Sequence, residues 1–336
     1  LLNNLREKQK GLKFYFIRNI WLIVLGLLHG ILLFIGDILL IYGLCAIVLV
    51  LFARLSAGWK FWLGVSIYCI PIVMQVLMQL SLKDFSAEQL LMLDEVWNSR
   101  PEWIIDDIQF FRTASYQDIV WFNLQADSID EANAILEWYW ISIYIEGFSR
   151  SFGLMLIGMA SYRWGVMSGF CRTKFAANAD AIYSKMVAIG FGLGLLIACL
   201  GLALNFYHAW SSLYSAIGGR VLNHVATPLM VCGYVALLMK ASRHEWFKFS
   251  IMGQGLQAVG RMALSNYIMQ SLIGLLVFTG VGFGLYAQLN RLELLGVVLL
   301  VWGFQLCVSS LWLSRFRYGP LEWLWRCLTY MKRVKI

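Results

Sequence analysis

His29 and Asp37 lie within GLLHGILLFIGDILLIYGL, between apolar runs long enough to cross a bilayer. A mid-membrane aspartate costs roughly 2.5–3.5 kcal/mol on insertion scales, so such groups are retained where they face other protein or water. Gly36 makes a tight turn and Asp37 opens the returning span. His29 lies roughly 20 Å along an outward helix at about 1.5 Å per residue, in the outer half of the membrane. Adjacent antiparallel helices bring the pair together. A carboxylate against an imidazole fixes its tautomer, as a general base requires. A structural helix–helix hydrogen bond, with Asp37 also capping the second helix, fits the same residues.

Other polar groups share the apolar sequence. YIEGFSR places Glu146 and Arg150 one helical turn apart, at the same expected depth as His29. They form a structural ion pair or line one pocket with His29 and Asp37. GRMALSNYIMQS carries Ser265, Asn266, Tyr267 and Gln270, as interhelical glue or as the lining of a donor channel. Arg261 stands at its cytoplasmic mouth, as a positive-inside anchor or a phosphate ligand. Arg220, Asn223 and His224 form a further cluster, and His208 lies in the outer turn FYHAW. GxSxG, HExxH and Walker A patterns are absent, so a soluble-type hydrolase or ATPase is unsupported.

The elements that must position these groups are membrane helices. The 336 residues are 60% hydrophobic and 14% charged, whereas a soluble domain carries about 25% charged residues. The net charge of +8 does not mark a nucleic-acid binder, because the basic residues fall between apolar runs. Spans of about 20 residues are expected near 16–35, 37–55, 58–80, 139–162, 183–204, 217–239, 260–283 and 292–313, giving an all-α polytopic bundle in a single transmembrane domain. Arg6 to Arg18, Arg54 and Lys60, Arg163 to Lys185, Lys240 to Lys248 and the tail from Arg315 to Lys335 all fall on one side. The positive-inside rule makes that side cytoplasmic.

The connection 81–138 falls on the other side and holds 12 of the 19 acidic residues, including Asp84, Asp106, Asp127, Asp130, Glu131 and Glu137. Ser86 and Gln89 predict a capping box opening an amphipathic helix over 86–97, either a cover for a site or a solvated connector. In the tail 316–336, RYGPLEWLWRCLTY predicts an interfacial helix with Pro320 in its first turn. Of seven cysteines, Cys45, Cys69, Cys199, Cys232 and Cys307 fall in spans, and Cys171 and Cys327 on the basic side. No CxxC occurs, so no disulfide framework or metal site is indicated. The chain starts at Leu1 without a signal peptide, and a missing N-terminal portion is expected.

GLLHGILLFIGDILLIY, GRMALSNYIMQSL and FRYGPLEWLWRCLTY, in this order, resemble the bacterial YeiB family of membrane proteins of unknown function. The resemblance covers the whole chain. Members of that family typically begin with an additional membrane segment bearing an LRG-type motif and a further span. The resemblance implies a remote place in a transmembrane acyltransferase superfamily that includes heparan-α-glucosaminide N-acetyltransferase. Those proteins move an acyl group from cytoplasmic acyl-CoA to an acceptor on the far side through a membrane-embedded histidine, here carried over to His29.

The resulting expectation is a multi-pass protein of the bacterial inner membrane with cytoplasmic ends, surrounded by membrane lipids. It would transfer an acyl group from acyl-CoA or acetyl-CoA to an extracytoplasmic hydroxyl or amine on a glycan or envelope component. His29 would be the base and Asp37 its orienter, with Glu146, Arg150, Arg261, Asn266, Tyr267 and Gln270 binding substrate. A homo-oligomer is compatible with this reading. The rivals are a transporter or flippase without covalent chemistry and a non-catalytic membrane partner protein.

Overall fold

Apolar segments of this length find no water inside a bilayer to satisfy their backbone, so they must bond internally as helices. The structure, a computed structural model, describes residues 11–125, 134–168, 176–215 and 218–335. Every regular element among the described residues is helical. Arg6, Glu7, Lys8, Lys10, Asp127, Asp130, Glu131, Cys171, Arg172 and Lys174 lie outside them.

Among the described residues, five helices are long and apolar enough to cross a membrane: Gly11–Leu32, Ala57–Asp84, Ala179–Tyr207, Gly219–Ala241 and Arg291–Arg315. Ile251–Arg261 and Ala263–Phe278 make a sixth span if the pair, bent by 86°, is counted as one. This is a multi-pass membrane protein. Two of the eight expected spans differ. Residues 37–55 are helical over Leu39–Leu49 and the 3-10 turn Val50–Phe52, too short at about 1.5 Å per residue for a hydrocarbon core of about 30 Å. Residues 139–162 lie in Ala134–Trp164, 31 residues long. That helix has the length, but Glu146, Arg150 and Arg163 interrupt its apolar run.

The chain forms two compact units, one of Leu1–Val48, Pro101–Ile129 and Trp246–Ile336, the other of Leu49–Arg100 and Asp130–Glu245. In the first, the expected tail helix is Pro320–Tyr330, with Pro320 in its first turn. It packs on Gly11–Leu32. The Arg18 guanidinium lies 4.2 Å above the Trp325 ring, whose indole N–H donates to the Arg18 carbonyl at 2.9 Å. Such a contact contributes about 0.5–2 kcal/mol. Two helices of the acidic connection, Pro101–Thr113 and Tyr116–Gln125, belong to this unit. Ala114, Ile119 and Leu275 form a buried cluster there with Phe110, Phe111 and Leu33 around it.

In the second unit, Ala57–Tyr68 packs on Ala134–Trp164, and Ala179–Tyr207 on Gly218–Ala241. A Cβ on Gly64 would lie 2.8 Å from the Gly153 carbonyl oxygen, and one on Gly190 would lie 2.6 Å from the Gly233 Cα. Both contacts require glycine, the usual means of close helix approach in lipid. Ala87–Trp97 carries both bonds of the capping box expected from Ser86 and Gln89. Lys60, read in the sequence as a flanking charge, is fully buried. Its Nζ donates to the Ala53 carbonyl at 3.0 Å, and Arg163 donates to the carbonyls of Ala53 and Leu55 at 3.1 and 2.6 Å. The two cations satisfy carbonyls left over where the preceding 3-10 turn ends.

Candidate functional site

The expected span 260–283 is broken at Met262, whose backbone leaves the helical region at φ −109°, ψ 30°. A break within a span strands N–H and carbonyl groups that must find partners. Glu322 supplies the acceptor: its Oε1 takes the N–H of Leu264 and Ser265 at 2.8 and 3.0 Å. Its Oε2 accepts from the Ser265 hydroxyl at 2.5 Å. A carboxylate at a helix N-terminus is also favoured by the helix dipole. Asn266 Nδ2 donates to the Val259 carbonyl at 3.2 Å, satisfying an acceptor at the end of the preceding helix. The tail helix, expected to anchor, therefore also caps the helix that carries the site.

One face of that helix presents Tyr267 and, one turn on, Ser271. His29 Nδ1 lies 2.8 Å from Asp37 Oδ1, and His29 Nε2 lies 2.8 Å from Ser271 Oγ. The Tyr267 hydroxyl donates to Asp37 Oδ1 at 3.2 Å, and its ring centroid is 4.8 Å from that of His29. Asp37 Oδ2 accepts from the Leu40 N–H at 2.8 Å, the cap expected for the second helix. The side chains of His29 and Asp37 are 1% and 4% exposed. With a carboxylate as acceptor Nδ1 carries a ring proton, and in that tautomer of a neutral ring Nε2 is the acceptor for the Ser271 hydroxyl. Gly26 makes the pairing possible, because a Cβ there would lie 2.4 Å from Leu40 N and 2.7 Å from Asp37 Oδ2. The Tyr116–Gln125 helix reaches the same region, where Asn123 Nδ2 donates to the Ile31 carbonyl at 3.1 Å.

The remaining candidates make other bonds. Gln270 Nε2 donates to Gln305 Oε1 at 2.8 Å. Gln305 Nε2 donates to the Asn266 carbonyl at 2.9 Å, and Asn266 Nδ2 to Ser309 Oγ at 3.0 Å. These bonds tie Ala263–Phe278 to Arg291–Arg315. Arg261 donates to the Arg317 carbonyl at 3.0 Å. Glu146 and Arg150 belong to the second unit, where Glu146 accepts from Arg150 at 3.0 Å and from Arg220 at 2.7 Å. His224 lies one helical turn beyond Arg220 on Gly218–Ala241. Its Nε2–H donates to the Tyr68 carbonyl at 2.8 Å, and the Tyr68 hydroxyl donates back to the His224 carbonyl at 2.8 Å. Among the described residues, no group of three or more His, Cys, Asp or Glu is placed to hold a metal ion.

The family description "Protein of unknown function (DUF418)" matches residues 170–332. "Uncharacterized protein YeiB" of Escherichia coli is 29% identical over 316 residues, covering 92% of this chain and 73% of that protein. "Uncharacterized protein YxaH" of Bacillus subtilis is 25% identical, covering 97% and 75%. These similarities support membership of the YeiB family. No solved structure matches it. The segment matched to DUF418 contains Tyr267, Ser271 and Glu322, whereas His29 and Asp37 precede it.

Sequence reasoning missed Ser271 and Glu322. Ser271 carried a signal, since it follows Tyr267 by four residues and so shares its helix face. Glu322 carried none before the break at Met262 was known.

Proposed function

We propose that this membrane protein is an acyltransferase that moves an acyl group from a cytoplasmic acyl-CoA, such as acetyl-CoA, to a hydroxyl or amine outside. The acceptor would be a glycan or other envelope component. The protein would lie in the bacterial inner membrane, with its acidic connection extracytoplasmic and its basic segments inside. The observation that carries this reading is the buried His29, held at Nδ1 by Asp37 and offering Nε2 to a hydroxyl at 2.8 Å. Acyl transfer needs a base that takes a proton from the attacking hydroxyl and returns it to the leaving group. An imidazole with one nitrogen fixed by a carboxylate is suited to both steps. Asp37 would set the tautomer, and the Leu40 N–H and Tyr267 hydroxyl would hold Asp37 in place.

The test uses purified protein in lipid, labelled acetyl-CoA and an envelope extract. Label should pass to the extract, and His29→Ala should reduce the rate about 10²–10⁴-fold, as loss of a general base does, with the variant still inserted and folded. Wild-type transfer at background with short- and long-chain acyl-CoA donors would reject the enzyme and favour a transporter. Full activity in His29→Ala would move the base elsewhere.

A further inference from the structure

Both ring nitrogens of His29 are already engaged by side chains, Nδ1 by Asp37 and Nε2 by Ser271. The hydroxyl that this base faces therefore belongs to the protein. We propose that Ser271 is the nucleophile of a two-step transfer and carries the acyl group as an ester between donor and acceptor. This rests on the acyltransferase reading and adds a covalent intermediate to it.

The placement of Ser271 supports a chemical role. Helix hydroxyls in lipid commonly bond back to their own helix, and Thr227, Thr279 and Thr329 of this chain do so, to the carbonyls of Asn223, Leu275 and Trp325. Ser265 and Ser309 reach across to Glu322 and Asn266, and Ser271 reaches across to an imidazole, that of His29, 242 positions away in sequence. The order hydroxyl, imidazole, carboxylate, with a 2.8 Å contact at each step, is the arrangement that activates serine on unrelated folds. The imidazole and carboxylate are nearly inaccessible, while Ser271, the outermost of the three hydrogen-bonded groups, is half-buried. A nucleophile must meet substrate and its base need not, and the gradient of exposure runs that way.

The steps balance. Ser271 Oγ attacks the carbonyl carbon of the acyl thioester as its proton passes to His29 Nε2. The C–S bond breaks, the thiolate takes that proton, and free CoA departs from a Ser271 ester. An acceptor hydroxyl or amine then gives its proton to Nε2 and attacks the ester carbonyl. The C–O bond to Ser271 breaks, and the proton returns to Oγ. Asp37 stabilises the imidazolium formed in each half.

The experiment gives the full chain in lipid nanodiscs radiolabelled acetyl-CoA or palmitoyl-CoA without acceptor. It reads protein-bound label, the modified peptide by mass spectrometry, and exchange of labelled CoA into acyl-CoA. Ester on Ser271 and CoA exchange are expected in the wild type. Ser271→Ala should lose both, with transfer to an envelope extract falling at least about 100-fold. Ser271→Cys, which keeps a nucleophile of similar size, should move the label to a thioester that neutral hydroxylamine releases. This variant also covers the case in which Ser271→Ala does not fold. Transfer by Ser271→Ala near the wild-type rate would overturn the serine and leave the acyltransferase standing, with His29 acting directly on the acceptor. A wild type that transfers label but shows neither CoA exchange nor ester would do the same. A wild type without transfer, exchange or ester rejects the acyltransferase itself.

Discussion

His29 in the first unit and His224 in the second are buried to the same degree, 3% and 2% exposed, yet their surroundings differ in kind. His29 touches a carboxylate and a hydroxyl, both side chains that can take part in moving a proton. His224 donates to a backbone carbonyl, and its Nδ1 has no hydrogen-bond partner among the described residues. The Tyr68 ring lies 4.2 Å away, and the two residues bond to each other's carbonyls. That closure joins Ala57–Tyr68 to Gly218–Ala241 and gives the ring no group to exchange a proton with. Burial and residue type therefore do not distinguish a base from a tie between helices. The partners do. The two carboxylates differ likewise: Asp37 accepts from an imidazole, a tyrosine and a backbone N–H, while Glu146 is shared by two arginines and leaves that cluster with one net positive charge.

Substitutions can break this contrast. The largest expected effect is on turnover. Asp37→Asn places an amide against Nδ1 that no longer fixes the tautomer, and transfer should fall about 10²–10³-fold. His224→Ala should stay within about threefold of wild type per folded molecule, because its ring faces a carbonyl. Equal losses from the two in the same transfer assay would erase the distinction between the histidines.

A smaller effect, on stability, sharpens the difference between the carboxylates. Glu146→Gln leaves Arg150 and Arg220 without their shared counter-charge. Their side chains are 34% and 30% exposed, so solvent screens part of the loss. About 1–2 kcal/mol is expected rather than the 3–5 kcal/mol of a fully buried pair. Thermal unfolding in detergent should detect it, and an unchanged Tm would mean that the cluster contributes nothing to the fold.

The smallest effect lies outside the spans, where pairing is exposed. Ser115 donates its hydroxyl and its N–H to Asp118 Oδ2 at 2.7 and 2.9 Å, and these bonds hold the Asp118 carboxyl below its ordinary value. A carboxylate with a depressed folded value stabilises the fold above its ordinary range, and that contribution is lost as pH falls through the folded value. Ser115→Ala should raise the Asp118 titration point, read by NMR of the labelled carboxyl. No movement would place the cause elsewhere than the hydroxyl.

Much of this protein was determined by local sequence. Apolar length and charge placement made it a multi-pass helical protein, because lipid leaves the backbone no other partner. Ser86 with Gln89 set the start of one helix, and Pro320 of another, through bonds a few residues long. His29 and Asp37 were legible as a pair because a short turn joins their helices. Tertiary structure decided what lay beyond the reach of one turn. The break at Met262 depends on Glu322, 58 positions from the Leu264 N–H that it accepts. The hydroxyl facing His29 comes from a helix 242 positions on. Tyr116–Gln125 reaches the first histidine's segment, where Asn123 donates to the Ile31 carbonyl 92 positions back. Hydropathy fixes which segments enter the membrane and nothing about which faces meet there. That choice is made by small residues such as Gly26 and by polar side chains that need partners in a medium without water.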